Sequence, residues 1–417
     1  MRLATILMSV SIALASATPA SAQESCAVCH GPEKLAVHDS VHAEAGVRCI
    51  DCHGAGAAWD DAAGGHGEGL RRLTDAKESV ESCASCHSDI ERMRGYGLRT
   101  DQASLYWTSF HGRKLLADGD QNVATCVSCH DAHRVLRATD PRATTHKLRQ
   151  VETCGACHGD AERMEPYGLD TDVVDEFLGS VHGRSLLQGN HLANPSCADC
   201  HGSHGATPPR IEEVGRVCGN CHTMVRRAFE ESPHLAAAQA GRMQECISCH
   251  GSHGVEHPSA EMLVGDEEGH CGACHDAGVG TAMDVAGRMH ATLAAMDARV
   301  YNADEKLREA ATRGLFVGSL LESLDDARGL RVRARPLMHA LSPEVLVDLK
   351  ERADGMVDQT IKDGLGQKER GLRDRKIYTS LFFGVVLLFA GGLIAYRREA
   401  FDRAQPRPED VRGGDGA

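Results

Sequence analysis

The sequence predicts a mostly irregular and α-helical head, followed by a C-terminal pair of helices and a single membrane-spanning helix. The head is predicted from its cysteines, because all 18 of them fall into nine Cys-x-x-Cys-His groups before residue 276. Aromatic residues are few, at 4% of the chain, whereas glycine is plentiful, with 44 residues. The membrane helix is predicted from residues 377–396, which carry no charge.

Residues 1–22 have the pattern of a secretory signal peptide. Arg2 precedes a short apolar run, and Ala20-Ser21-Ala22 forms a small-residue cleavage site. The apolar run is too short to cross a bilayer. We therefore expect the mature chain to begin at Gln23 and its head to lie outside the cytoplasm.

The cysteine groups carry the clearest chemical signal. Cys-x-x-Cys-His is the attachment site of c-type haem: the thiols bond to the haem vinyl groups and the histidine becomes the proximal iron ligand. Disulfides, zinc half-sites and dithiol redox motifs do not explain a histidine after every pair. The sequence thus predicts nine covalently attached c-type haems, which supply much of the core of a head spanning residues 23–284. The attaching cysteines are Cys26, Cys29, Cys49, Cys52, Cys83, Cys86, Cys126, Cys129, Cys154, Cys157, Cys197, Cys200, Cys218, Cys221, Cys246, Cys249, Cys271 and Cys274. The proximal histidines are His30, His53, His87, His130, His158, His201, His222, His250 and His275.

The head also contains an internal repeat. The stretch 109–133 aligns without a gap on 180–204, and related versions begin at Ser40 and Ser232. Each copy holds two Cys-x-x-Cys-His motifs. We interpret the head as four two-haem repeats, from about residues 40, 109, 180 and 232, preceded by one extra haem at Cys26.

The repeat indicates where a second axial ligand for each iron comes from. Every copy has a histidine in its Ser-x-His start, and three copies have another in Cys-His-x-x-His, where hydrogen bonding to a haem propionate is an alternative. In the first copy His66 substitutes for the Cys-His-x-x-His histidine, and His290 lies where a fifth copy would begin. The nine distal candidates are His42, His66, His111, His133, His182, His204, His234, His253 and His290. The remaining histidines are interpreted as surface or supporting residues: His38, His146, His191, His257, His270 and His339.

These motifs and the Ser-x-His-Gly elements resemble those of multihaem c-type cytochromes with paired motifs, the cytochrome c3-like group that includes decahaem periplasmic carriers. The resemblance covers residues 25–290. It implies a chain with little regular structure, wrapped around closely spaced bis-histidine haems that pass electrons along a row. The nine haems and the C-terminal anchor depart from the soluble decahaem pattern.

Residues 285–376 contain no cysteine and have helical periodicity. Leucines and other apolar residues recur at three- and four-residue spacing, and Ser342-Pro343 predicts the start of a second helix. We expect an antiparallel helical pair acting as a stalk, with dimerisation through the pair as the alternative to simple spacing. Residues 377–396 would cross the membrane and leave residues 397–417 as a short cytoplasmic tail.

Two imidazoles on each iron leave no position for a substrate, so electron transfer is favoured over catalysis and no catalytic residue is predicted. The expected partners are a quinol-oxidising or cytochrome partner in the membrane and a periplasmic redox protein or outer acceptor. The formal net charge of −14 argues against nucleic acid. The predicted location is the extracytoplasmic, periplasmic face of the cell membrane. The alternative function is a reductase or oxidase of nitrite, hydroxylamine or tetrathionate with one five-coordinate haem, which arises if His66 or His290 does not bind iron.

Overall fold

The computed structural model describes residues 30, 39–54, 59–60, 65–209, 213–278 and 280–404. The predicted signal peptide, Cys26 and Cys29, and the tail from residue 405 onward lie outside these ranges. Within the chain two structural units are distinguished. The first comprises residues 1–218 and 244–257, and the second comprises residues 219–243 and 258–417.

The first unit is built from short helices. Most of them are one or two turns long and end at a glycine, at a capping residue or at the histidine of a Cys-x-x-Cys-His motif. They are α1 (Val41–Glu44), α2 (Cys49–His53), α3 (Ala76–His87), α4 (Ile90–Arg94), α5 (Gln102–Thr108), α6 (Phe110–Asp118), α7 (Cys126–His130), α8 (Gln150–His158), α9 (Ala161–Met164), α10 (Val173–Gly179), α11 (Val181–Leu187), α12 (Cys197–His201) and, ending just past the unit boundary, α13 (Val214–Gly219). A two-residue antiparallel pair joins β1 (Trp59–Asp60) to β2 (Gly65–His66). The prediction of an irregular and α-helical head is confirmed in part: among the described residues, short helices alternate with irregular segments.

The second unit begins with α14 (Thr223–Glu230) and α15 (Pro233–Gln239), while α16 (Ile247–His250) belongs to the first unit. Three long helices follow: α17 (Ala282–Thr312), α18 (Gly318–Leu337) and α19 (Pro343–Asp358). Each packs against the other two. Their apolar residues recur every three or four positions and form one buried core that includes Met289, Leu307 and Leu324.

The prediction of a C-terminal pair of helices is therefore wrong, because three helices pack together. The leucine spacing continues from Leu307 to Leu321, which made one helix the simpler prediction. The helix ends instead just before Gly314, whose φ of +85° is a backbone conformation that is unfavourable for residues with a side chain. The predicted start of the following helix is confirmed, with Ser342 as N-cap and Pro343 as its first residue.

The chain continues from α19 through a π-helical segment, Gln359–Leu365, into α20 (Gly366–Ala404). A Cβ at Gly364 would lie 2.4 Å from Leu320 Cδ2, so glycine permits close packing on α18 at the widened turn. The apolar part of α20 is long enough to cross a membrane, and its large apolar side chains are exposed, Leu388 and Phe389 by about three quarters. Among the described residues this is the single helix with that length and composition.

Short 3₁₀ helices connect several of these elements. They lie at Lys147–Arg149, Glu165–Tyr167, Ala260–Leu263, Cys271–Ala273 and Met338–Ala340.

Candidate functional site

Three Cys-x-x-Cys-His motifs are complete one-turn helices, α2, α7 and α12. Two more motifs close the longer helices α3 and α8, which end at His87 and His158. In a helix, residues at positions i, i+3 and i+4 share one face. Helical geometry therefore presents both thiols and the imidazole of a motif to the same side, where they can serve a single bound group.

Reciprocal caps hold the one-turn helices in place. The Thr125 N–H donates to Ser128 Oγ at 3.0 Å, and the Ser196 N–H donates to Asp199 Oδ2 at 2.8 Å. The same bond joins the Arg48 N–H to Asp51 Oδ2 at 2.7 Å, and it lowers the pKa of that carboxyl group. Five residues form too short a helix to be stable alone, so these caps replace the missing intrahelical bonds.

The Ser-x-His starts form buried corners between consecutive helices. Ser109 Oγ accepts a hydrogen bond from the Gly112 N–H at 3.0 Å and donates one to the Tyr106 carbonyl at 2.6 Å. Ser180 makes the equivalent bonds to Gly183 and Phe177, at 2.9 and 2.7 Å. The serine thus caps one helix and ties it to the preceding one, which fixes the histidine in the first helical turn.

Glycine after the histidine is required by the same corner. A Cβ at Gly112 would lie 2.0 Å from the Tyr106 carbonyl oxygen, and one at Gly183 would lie 2.0 Å from that of Phe177. No side chain fits at such a distance. The Ser-x-His-Gly pattern therefore indicates a close approach between the glycine and the backbone of the preceding helix, which positions His111 and His182.

Within repeats, distal-candidate and motif histidines face each other. The ring centres of His42 and His87 are 6.1 Å apart, and those of His111 and His158 are 6.2 Å apart. In the second unit, the rings of His234 and His275 are 5.9 Å apart. In each pair the distal candidate comes from the Ser-x-His start and its partner from the second motif of the same copy.

Other pairs join neighbouring repeats. Their histidines come from the first motif of one copy and the Cys-His-x-x-His element of the next. The pairs are His53–His133 at 6.2 Å, His130–His204 at 6.0 Å and His201–His253 at 5.9 Å. His30 and His66 stack in the same way at 5.8 Å, so His66 occupies the role of the missing Cys-His-x-x-His histidine in the first copy.

The separation of about 6 Å is informative because it is nearly the same in all seven pairs. A metal–imidazole bond of about 2 Å on each side, plus about 1 Å from each nitrogen to its ring centre, gives a separation of about 6 Å. Two stacked imidazoles in van der Waals contact would lie closer. The pairs therefore leave room for one metal ion between the rings.

The protein alone does not complete such a metal site. In the described ranges no group of three or more His, Cys, Asp or Glu side chains is arranged to hold a metal ion. Two nitrogens on opposite sides suit a metal whose other four ligands come from a planar macrocycle. The donor set thus fits haem, with the nearby cysteine thiols available for covalent attachment.

A large cavity runs through the first unit and provides the space. Its volume is about 2660 Å³, several times the roughly 300–1,000 Å³ of a site for one small molecule. It is lined by motif cysteines and by histidines of both kinds: His30, His42, His53, His66, His87, His111, His130, His133, His158, His182, His201, His204 and His253.

Burial keeps several of these imidazoles neutral. Desolvation, together with a smaller effect of the charge of His204, lowers the pKa of His130 to about 4. The pKa values of His111 and His158 are also lowered, mainly by burial. A neutral imidazole carries the lone pair that a metal requires.

The 16 described cysteines form no disulfide with one another. Thiols of successive motifs lie side by side: Cys83 with Cys126, Cys154 with Cys197, and Cys218 with Cys246. In the first pair the Cys83 thiol donates to Cys126 sulfur, which raises the pKa of Cys83 and lowers that of Cys126. The thiols of neighbouring Cys-x-x-Cys-His motifs are therefore in direct contact.

The remaining predicted residues have varied environments. His222 caps the start of α14, and His250 ends α16. His290 lies on α17 with Nε2 3.4 Å from Glu261 Oε1, so it faces a carboxylate. His339, which the sequence indicates to be a surface or supporting residue, is half-buried in the turn between α18 and α19.

Comparisons with protein families, with curated proteins and with solved structures find no match to this chain. The motifs and their geometry are therefore the features that indicate a function.

Proposed function

We propose that the chain is a membrane-anchored, extracytoplasmic c-type cytochrome with nine covalent haems, which carries electrons along a row of bis-histidine irons. The observation that carries this proposal is the set of seven facing histidine pairs with ring centres about 6 Å apart. Each pair contains one histidine from a Cys-x-x-Cys-His motif. A motif histidine alone could support a buried loop, but a second imidazole at the same ring-centre separation in all seven pairs favours the role of axial ligand.

Haem would supply a reversible one-electron change at iron. The chain's own residues would determine the reduction potential of each iron and the distance between haems. Two imidazoles on an iron close it to substrates. Burial lowers the pKa of several paired histidines, among them His111, His130 and His158, so these imidazoles add no charge of their own that would favour one oxidation state. The protein then acts by spacing and shielding the haems.

Contacts between thiols support an order for the haems. The attachment sites at Cys83 and Cys126 touch, as do those at Cys154 and Cys197. Cys129 and Cys157 also interact electrostatically, which brings the two intervening motifs together. Electrons would therefore pass along the motifs in their sequence order through this part of the head, without a gap between successive sites.

The apolar helix within α20 supports attachment to a membrane. A membrane quinol-oxidising or cytochrome partner is the proposed donor, and a periplasmic redox protein or outer acceptor receives the electrons. The head would lie on the periplasmic face, as the signal-like start of the sequence indicates.

The proposal is tested on full-length protein made in a host that attaches c-type haem. Pyridine haemochrome should give nine haems per chain, and low-temperature EPR of the oxidised protein should give low-spin signals alone. A His111→Ala variant should convert one haem to high spin, while His191→Ala, an exposed histidine outside the pairs, should not. Protein without covalent haem would overturn the proposal.

One observation favours the second candidate, a reductase or oxidase of a small nitrogen or sulfur compound. His290 faces Glu261 at 3.4 Å, so this predicted distal ligand is engaged by a carboxylate. An iron deprived of it would be open. A stoichiometric high-spin signal in the unmodified protein that responds to nitrite or hydroxylamine would favour this function over electron carriage.

A further inference from the structure

His339 lies at a sharp turn in the helical part of the second unit. It belongs to the 3₁₀ segment Met338–Ala340, between α18 and α19, and Leu341 next to it has a left-handed φ of +54°. A non-glycine residue in this conformation is uncommon and is held only where the surroundings fix it. The turn is therefore a defined position for the imidazole, even though the sequence around it carries no haem motif.

A backbone hydrogen bond orients the imidazole. Nδ1 lies 3.0 Å from the Pro336 carbonyl oxygen, which can only accept, so the ring proton is on Nδ1. The lone pair is consequently on Nε2. Histidines that bind metals commonly have this arrangement, in which the second nitrogen donates to a carbonyl and fixes the tautomer.

The turn is also close to a Cys-x-x-Cys-His motif. The 3₁₀ segment packs against α14, which begins directly after His222. A half-buried, oriented histidine thus stands beside the haem-binding part of the chain rather than on its outer surface.

His290 has the opposite character. Its Nε2, the nitrogen expected to bind iron, is 3.4 Å from a Glu261 oxygen, and the Glu261 side chain is 73% exposed. A carboxylate can only accept a hydrogen bond, so in this contact Nε2 carries the ring proton and has no lone pair for a metal. We propose that His339, and not His290, is the ninth distal axial ligand of the haem set. This inference rests on the proposed function.

The test compares two variants of the haem-loaded, full-length protein, His339→Ala and His290→Ala. Haem content by pyridine haemochrome should stay at nine in both, because neither residue attaches haem. His339→Ala should convert one haem in nine to high spin by EPR, bind one equivalent of carbon monoxide when reduced, and return to low spin with added imidazole. His290→Ala should keep all nine haems low-spin.

A second variant covers the case in which the alanine change unfolds the turn. His339→Met keeps a ligand, and histidine–methionine ligation raises the potential of haem iron. A redox titration should then show one haem shifted upward and the others unchanged. Low-spin spectra and potentials unaltered in both His339 variants would overturn the inference, as would high-spin haem in His290→Ala alone. Absence of haem from the unmodified protein would instead overturn the proposed function.

Discussion

The two structural units bury apolar surface to very different extents. In the first unit the largest buried apolar cluster comprises Ala76, Val80, Tyr106 and Leu115. In the second, one core runs through all three long helices and contains 20 buried residues. The first unit encloses a cavity of about 2660 Å³ where a core would be expected. The helical part is therefore stabilised by its own side chains, whereas the head depends on what fills its cavity.

The largest expected effect comes from withholding haem attachment. Full-length protein produced in a host without the attachment machinery should lose the fold of residues 65–209, because their short helices have little core of their own. Helices α17, α18 and α19 should remain folded. Hydrogen exchange by mass spectrometry should show protection confined to these three helices. Protection of α5 and α6 equal to that in the haem-loaded protein would contradict the comparison.

A substitution in the core of the three long helices should destabilise the second unit and leave the first unit unchanged. Leu324 is fully buried among the three helices, so Leu324→Ala should lower the free energy of unfolding of this part by about 2–5 kcal/mol. Urea unfolding followed by circular dichroism measures the change. The haem absorption spectrum should not change. Val332→Ala is the matched control, because Val332 lies on the same helix and is 62% exposed.

A smaller and more local effect is expected at the Ser-x-His corner. Gly112→Ala would force a Cβ to within 2.0 Å of the Tyr106 carbonyl oxygen and displace His111 from His158. We expect a loss of about 1–3 kcal/mol in stability, together with one haem turned to high spin by EPR. Gly95→Ala is the control, since a Cβ there has no neighbour within 4 Å. An unchanged EPR spectrum in Gly112→Ala would show that the corner does not position His111.

The sequence predicted the buried face of a helix better than it predicted which residues contact each other in the fold. The period of Leu346, Leu349 and Ala353 defined the buried face of α19, and each of the three is less than 5% exposed. The break at Gly314 could not be predicted, because apolar spacing is compatible with one helix or two and the left-handed turn depends on tertiary packing. Likewise the Ser-x-His repeat singled out His111, but which motif histidine faces it is decided by how the helices meet.

The pairing of His290 with Glu261 illustrates the same limit. Position in a repeat suggested an axial ligand, whereas the tertiary structure brings a carboxylate from 29 residues away. His339 lies outside every repeat, so periodicity gives no reason to select it. Its one sequence signal is the interruption of the helical pattern by Pro336 and Pro343, which marks a turn that can hold a side chain in a fixed direction.

The pairs that cross from one repeat to the next have a consequence for how the chain matures. His53 faces His133 and His130 faces His204, so each partner lies a full repeat further along the chain. In a chain that emerges through a membrane from its N-terminus, each first motif is exposed well before its partner arrives. If these pairs bind iron as proposed, each of the first three copies is completed only by its successor. Deleting a copy at a repeat boundary would then leave one iron with a single protein ligand.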